Sequence, residues 1–216
     1  MSRRMAGTVW KMGRAALFST WALLVACSSP PAAQGPAQAA DTDAKPELER
    51  YLPLEDGTVF SYDTQSEQRN AHGLLIVQVS RPRTGRVDLR MGSRTERLQF
   101  VPDGIAYVEG GYLLKVPLAK GSSWHSRTGM VHIESTDETA SVPAGKFEGC
   151  LRTVEEVKDA GLTRTVSSVY CPHVGLVMVD VNGMTPDGPD RETAVLRSFG
   201  PRVDLTNQNV TTTTDD

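Results

Sequence analysis

The chain places thiols, imidazoles and carboxylates at spacings that suggest chemistry. Cys150 and Cys171 sit on two strand-like runs, Phe147–Val157 and Leu162–Cys171, that meet at a turn around Ala160-Gly161. If that dipeptide is the loop, the antiparallel register sets Cys150 opposite Cys171. Directly opposed Cβ atoms lie ~4.5–5.5 Å apart, close to what a disulfide spans. The expected bridge closes a loop of about 20 residues and contributes roughly 3 kcal/mol; two buried free thiols are the alternative. A redox-active pair needs a much tighter Cys-x-x-Cys spacing. A second turn, at Thr128-Gly129, sets His125 opposite His132. Two imidazoles across a hairpin form half a metal site, but Glu134 flanks His132 instead of converging on it. The expectation is therefore surface or ligand-facing histidines, with no metal and no other cofactor. His72 and His173 lie near turns without a visible partner. The chain has no Gly-x-Ser-x-Gly nucleophile elbow and no nominable Ser/His/Asp set. Asp187-Gly188-Pro189-Asp190 lacks the alternating ligands and closing Glu of a calcium loop and reads as a surface turn. A non-enzymatic protein is expected.

The third cysteine carries different chemistry. Arg3, Arg4, Lys11 and Arg14 make a positive leader, followed by an apolar run from Ala15 to Ala26 broken only by Ser19 and Thr20. Twelve helical residues span about 18 Å, short of the ~30 Å hydrocarbon core, so residues 1–26 read as a secretion signal and not as a span. Arg3-Arg4 lacks the apolar pair of a twin-arginine signal. The run ends in Leu24-Val25-Ala26-Cys27, which resembles the lipobox of bacterial lipoproteins. That resemblance implies a diacylglyceryl group on the Cys27 thiol, cleavage before Cys27 and acylation of the freed amine, by palmitate or a similar chain. Two or more acyl chains anchor stably, at ~0.8 kcal/mol per buried CH2. An ordinary signal peptide with an incidental Cys27 is the alternative. Ser28, where an Asp would imply retention in the inner membrane, implies the outer membrane, facing the periplasm or the cell surface.

Composition narrows the classes further. The chain has 216 residues, is 39% hydrophobic and 23% charged, and carries a formal net charge of −3. This is a globular composition, without the positive charge that nucleic acid attracts, so no nucleic-acid partner is expected. Loss of Arg3, Arg4, Lys11 and Arg14 with the leader takes the charge from −3 to −7. Attachment is then expected from lipid and not from a basic patch. Residues 27–47, with Pro30-Pro31 and Pro36, read as a flexible tether with a reach of roughly 25 Å. Residues 204–216 read as a disordered tail. Removing one lipidated cysteine leaves a pair, and an exported chain folds where disulfides persist.

Residues 48–203 read as one all-β domain. Twelve short segments, β-branched or alternating, are separated by Gly, Pro or Asn turns. They are Thr58–Asp63, Gly73–Ser80, Arg86–Met91, Thr95–Val101, Ile105–Glu109, Tyr112–Val116, Ser123–Arg127, Met130–Ser135, Phe147–Val157, Leu162–Cys171, Gly175–Val181 and Thr193–Phe199. Only Pro46–Tyr51 suits a helical turn. Even spacing with short links predicts an antiparallel meander forming a closed or half-open β-barrel, with a two-sheet β-sandwich as the alternative. Pro53-Leu54-Glu55-Asp56-Gly57-Thr58-Val59-Phe60 echoes Pro117-Leu118-Ala119-Lys120-Gly121-Ser122-Ser123-Trp124 at Pro, Leu, Gly and the aromatic. Shared turn chemistry accounts for the echo more simply than duplication.

Three segments resemble a pattern in exported bacterial β-proteins of unknown function. They are Tyr51-Leu52-Pro53-Leu54 with Gly57, Phe60 and Tyr62; Val142-Pro143-Ala144-Gly145-Lys146-Phe147-Glu148-Gly149-Cys150; and Tyr170-Cys171-Pro172-His173-Val174-Gly175-Leu176-Val177. The resemblance implies a curved antiparallel sheet or unclosed barrel and brings no catalytic residues. Cys171 departs from the Ala common there. The leading expectation is a membrane-anchored envelope lipoprotein acting as a binding or scaffolding module, with an envelope protein or a hydrophobic ligand as partner. A second reading is a lipid or lipoprotein carrier, similar in form to localisation factors built on an unclosed barrel. Leu74, Leu75, Ile76, Val77, Tyr112, Leu113 and Leu114 would line its cavity, or else form ordinary core. A third, an enzyme, would need His125 and His132 gathered with carboxylates in a cleft.

Overall fold

The computed structural model describes residues 44–159, 162–185 and 188–203, all within the unit Ala39–Asp216. The leader, Cys27, residues 28–43, the Ala160-Gly161 turn, Asp187 and the tail from 204 lie outside the described residues.

A helix, α1 (Ala44–Tyr51), precedes β1 (Thr58–Ser66), β2 (Ala71–Arg83), β3 (Arg86–Met91), β4 (Arg94–Val101), β5 (Gly104–Tyr107) and β6 (Tyr112–Lys115). The second half holds β7 (Ser123–His125), β8 (Gly129–Val142), β9 (Gly145–Asp159), β10 (Leu162–Cys171), β11 (Gly175–Thr185) and β12 (Gly188–Pro201). All twelve expected strands are present. Glu47 in the first turn of α1 and Arg50 in its last turn complement the helix dipole. Among the described residues no helix is long and apolar enough to cross a membrane.

The strands form one antiparallel sheet in the order β6-β5-β4-β3-β2-β1-β12-β11-β10-β9-β8-β7. Every strand pairs with its chain neighbours except β6 with β7, and one further pairing links distant strands. β1 pairs with β12, from Thr58↔Pro201 to Ser66↔Glu192, and so joins the two ends of the domain. β6 and β7, adjacent in sequence, are the two edges. The barrel is therefore closed where the chain is discontinuous and unsealed at its middle. The two edges are only four and three residues long, which limits the exposed pairing groups. Bulges between Ser61/Tyr62 on β1 and along β8–β9 supply curvature. The two-sheet sandwich does not occur.

Strand alternation fills one core. On β2, Val77 and Val79 are buried while Leu74 and Ile76 face out, as period-two geometry requires. Leu48, Leu98, Ile105, Leu114, Ile133, Leu151 and Leu196 are almost fully excluded from solvent. Leu48 and Leu52 bring α1 and its exit into that core.

The two echoing segments make the same turn. Thr58 N–H donates to the Glu55 carbonyl at 3.2 Å, and Ser122 N–H donates to the Ala119 carbonyl at 3.0 Å. Gly57 and Gly121 both take positive φ, 77° and 86°. Each then donates into a neighbouring strand, to Val79 and Ile133. One turn therefore opens each half of the barrel, and Phe60 and Trp124 follow it into the core.

Two expectations are corrected here. The β7–β8 register pairs Ser123 with His132 and His125 with Met130, so His125 does not face His132. The turn is Arg127-Thr128, one residue earlier than expected. Ser126 explains the shift: its Oγ accepts from the N–H groups of Thr128 and Gly129 at 3.0 Å each, an ST-type cap that locks the tighter turn. Gly188-Pro189-Asp190, expected in a surface turn, instead begins β12. There the ladder runs out to Thr185↔Gly188, supported by the Arg191–Asp180 ion pair at 2.6 Å.

Candidate functional site

The interior of the barrel is not completely filled. An apolar cavity of about 220 Å3 lies beneath β1–β4, with Phe60, Tyr62, Leu75, Leu89 and Ala194 among its walls. Leu52 and Leu54, on the exit from α1, also line it. Of the residues expected to line a carrier cavity, Leu75, Val77 and Leu113 do so. Leu74 and Ile76 point outward, Leu114 is solid core, and Tyr112 lines a neighbouring chamber. The alternation of β2 divides its own four apolar residues into two that face the cavity and two that do not.

That second chamber, about 200 Å3, lies under β8–β10 and is mixed in character, with Ser126, Thr153, Glu155 and Ser168 among otherwise apolar and aromatic walls. Tyr107, Leu113, Tyr170 and Leu176 line both spaces. The partition is thus built of phenol rings and leucines. Burial pushes the Tyr107 phenol up to about 12 and raises those of Tyr62 and Tyr170 strongly, so all three rings stay neutral. Tyr62 Oη donates to the Leu176 carbonyl at 2.9 Å, which satisfies a wall group without presenting charge to the cavity.

The single carboxylate at the apolar cavity is Glu96 of β4, 9% exposed. A buried carboxylate needs charged or hydrogen-bonding partners, and Glu96 has two arginines. Arg94 Nε donates at 2.6 Å. Arg127, from the β7–β8 turn, donates from Nη1 at 2.6 Å and from Nη2 at 3.3 Å. Hydrogen bonding to Arg127 is the main cause holding the Glu96 carboxyl below its usual range. The Arg127 guanidinium also lies 4.8 Å from the Tyr107 ring centroid, a cation–π distance. Arg127 belongs to one edge of the seam, while Glu96 and Tyr107 belong to the sheet behind the other. The ion pair therefore bridges the seam that backbone pairing leaves open.

The same turn is held from two further sides. Ser126 and Thr128 both donate to Glu155, the latter at 2.6 Å. Gly111, in the β5–β6 turn, presses against the Ser126–Arg127 backbone so closely that a Cβ there would sit 2.4 Å from Ser126 C.

The sequence-nominated residues fall elsewhere. Cys150 and Cys171 form a disulfide with S–S 2.03 Å and Cα–Cα 4.2 Å, both sulfurs fully buried. His125 and His132 alternate with the inward Trp124, Val131 and Ile133, and so lie on the outer face. Among the described residues no three His, Cys, Asp or Glu side chains gather as metal ligands. The enzyme reading required His125 and His132 together in a cleft with carboxylates; the register separates the two, with His125 against Met130 and His132 against Ser123. Sequence reasoning passed over Glu96 and Arg127. The available signal was an acid on the inward parity of β4, between apolar Leu98 and Phe100 and a run of arginines.

Taken together, these features describe an antiparallel β-barrel, joined between first and last strands, latched at its middle by an ion pair, and enclosing an apolar cavity. No family model matches the chain, and no curated protein matches it. Among solved structures, a Bacteroides fragilis protein described as exported and as having a YmcC-like fold is similar, with a TM-score of 0.45 and 8% identity. The alignment covers 69% of this chain and 98% of that one. A Parabacteroides distasonis protein described as a lipoprotein is similar with a TM-score of 0.43 and 13% identity, over 69% and 98% of the two chains.

Proposed function

We propose that this chain is a lipid-anchored lipoprotein of the bacterial cell envelope whose β domain is a non-enzymatic binding module for a small apolar ligand or apolar group. Leu24-Val25-Ala26-Cys27 after a positively charged apolar leader supports the anchor. The observation that carries the binding role is the apolar cavity behind the Glu96–Arg127 latch. An apolar cavity of about 150 Å3 is enough to hold benzene, so about 220 Å3 accommodates a somewhat larger ring system or a short hydrocarbon segment. A carrier that swallows a whole diacylated lipid fits less well, because ligand pockets of that kind run to ~300–1,000 Å3.

Native mass spectrometry of the full chain extracted from membranes tests both parts. The expected result is a mass shift for acyl chains at Cys27, absent in Cys27→Ser, together with a co-purifying apolar molecule. Ala194→Leu fills the cavity from β12 and is expected to abolish uptake of a fluorescent apolar probe while leaving the circular dichroism unchanged. Unchanged uptake in Ala194→Leu refutes the binding role; an unmodified Cys27 refutes the anchor.

A further inference from the structure

We infer that the outer face of β2, β3 and β4 is a docking surface for a layer of anionic lipid headgroups. The net negative charge of the mature chain hides a segregation. Residues 78–99 carry six arginines, at 81, 83, 86, 90, 94 and 97, against two carboxylates, Asp88 and Glu96. Glu96 points inward and takes Arg94 as a partner. Arg81 turns towards the Leu54 carbonyl and lies over Phe100. The remaining four, Arg83, Arg86, Arg90 and Arg97, take part in none of the ion pairs among the described residues.

The register puts these four on one surface. Arg83 pairs with Arg86 and Gln78 with Arg90 across β2–β3, and Asp88 pairs with Arg97 across β3–β4. Val87, Leu98 and the cavity residue Leu89 occupy the inward parity, so Arg86, Arg90 and Arg97 share the outward one with a single carboxylate, Asp88, opposite Arg97. Arg83, Arg90 and Arg97 are exposed and Arg86 half-buried. Two like charges directly opposed, as at Arg83 and Arg86, repel unless an anion lies between them. Of the exposed arginines elsewhere on the barrel, Arg69, Arg191 and Arg197 each meet a carboxylate, while Arg164 on β10 and Arg202 just after β12 lie apart from one another without such an ion pair among the described residues.

The same outward row of β2 continues into two exposed aliphatics, Leu74 at 57% and Ile76 at 37%. Arginines that meet phosphates beside aliphatic side chains that enter the acyl boundary are the composition of an interfacial lipid-binding surface. Charge complementarity thus selects an anionic headgroup layer as the occupant. Each arginine brought to such a surface favours the docked state about fivefold, an effect confined to about a Debye length. With the anchor proposed above, the domain is held at the membrane at high effective concentration, so weak contacts suffice. In its geometry the inference rests on the anchor proposed above; in its charge it does not.

The full lipidated chain carrying Thr84→Cys has one reactive thiol, in the exposed β2–β3 turn, once Cys27 is acylated and Cys150 bonded to Cys171. Glu156→Cys places a label across the barrel on β9. Each is labelled and mixed with vesicles of phosphatidylcholine, or of phosphatidylcholine with one quarter phosphatidylglycerol, containing a headgroup energy acceptor. On anionic vesicles position 84 is expected to transfer at least twofold more than position 156. High salt, the R83E/R86E/R90E/R97E variant and pure phosphatidylcholine should each remove the difference. The milder R90Q/R97Q variant should reduce it and guards against misfolding in the fourfold change. Equal transfer from both labels on anionic vesicles overturns the docking surface, as does a difference that survives high salt. Flotation separates the two proposals: a chain that floats only with anionic vesicles sinks the anchor and supports the face, whereas flotation with both but equal transfer does the reverse.

Discussion

Arg127 and Glu96 are 31 residues apart, yet guanidinium and carboxylate meet at 2.6 Å across the one boundary where the barrel has no backbone ladder. The pair does the work that interstrand hydrogen bonds do elsewhere, and it does so at the wall of the cavity. An ion pair can be broken by a proton, whereas a ladder cannot.

This makes the seam sensitive to acid in a defined direction. Glu96 has a lowered pKa in the folded chain, so its stabilisation is fully present above the ordinary carboxylate value of about 4.3 and is lost as pH falls through the lowered one. Glu96→Gln is expected to cost about 2–3 kcal/mol above about pH 5, because it weakens two charged hydrogen bonds at a largely buried site. The cost should shrink towards zero in stronger acid, where the parent chain also loses the charge. Urea midpoints of both chains across the pH range check this; a constant difference down to about pH 2 is the contrary result.

Two adjacent glycines separate backbone strain from close approach. Gly110 and Gly111 both have positive φ, 107° and 81°. A Cβ at Gly110 meets nothing within 4 Å, but one at Gly111 meets the Ser126–Arg127 backbone at 2.4–2.5 Å. Gly110→Ala is expected to cost about 1 kcal/mol through φ alone. Gly111→Ala should cost about 2–4 kcal/mol and wedge the seam. Thermal melts give the difference, and faster amide exchange in β6 and β7 of Gly111→Ala locates it. Equal melting temperatures would show that the two turns do not press together in solution.

The bridge between Cys150 and Cys171 closes the β9–β10 hairpin over a separation of 21 residues. Both residues are fully buried, so dithiothreitol should not reduce the folded chain at a rate faster than unfolding. Replacing both by Ala is expected to cost about 3 kcal/mol. Thiol titration under native and denaturing conditions, with and without reductant, measures the first; denaturant midpoints measure the second. Rapid native reduction would contradict the burial.

Much of this was legible in the residues because it is local. Alternating runs and Gly, Pro and Asn punctuation mark strands through the pleat and through turn conformation, and all twelve segments are strands. The β9–β10 register followed from its turn: Leu162↔Asp159 and Tyr170↔Leu151 belong to the ladder that an Ala160-Gly161 loop dictates. The same method failed at β7–β8, where the Ser126 side chain caps the backbone and moves the turn by one residue. A side chain that competes for backbone donors changes register without changing the hydrophobic pattern.

What the sequence determined alone is therefore the strands and most of their neighbour pairing, because each depends on residues close together in the chain. Tertiary structure alone decided that β1 meets β12, that the seam falls between β6 and β7, that Glu96 finds Arg127, and that four arginines share one outer face. Those outcomes depend on how twelve twisted strands curve back on one another. Curvature sums small contributions from every strand and bulge, so no single segment of the sequence records it.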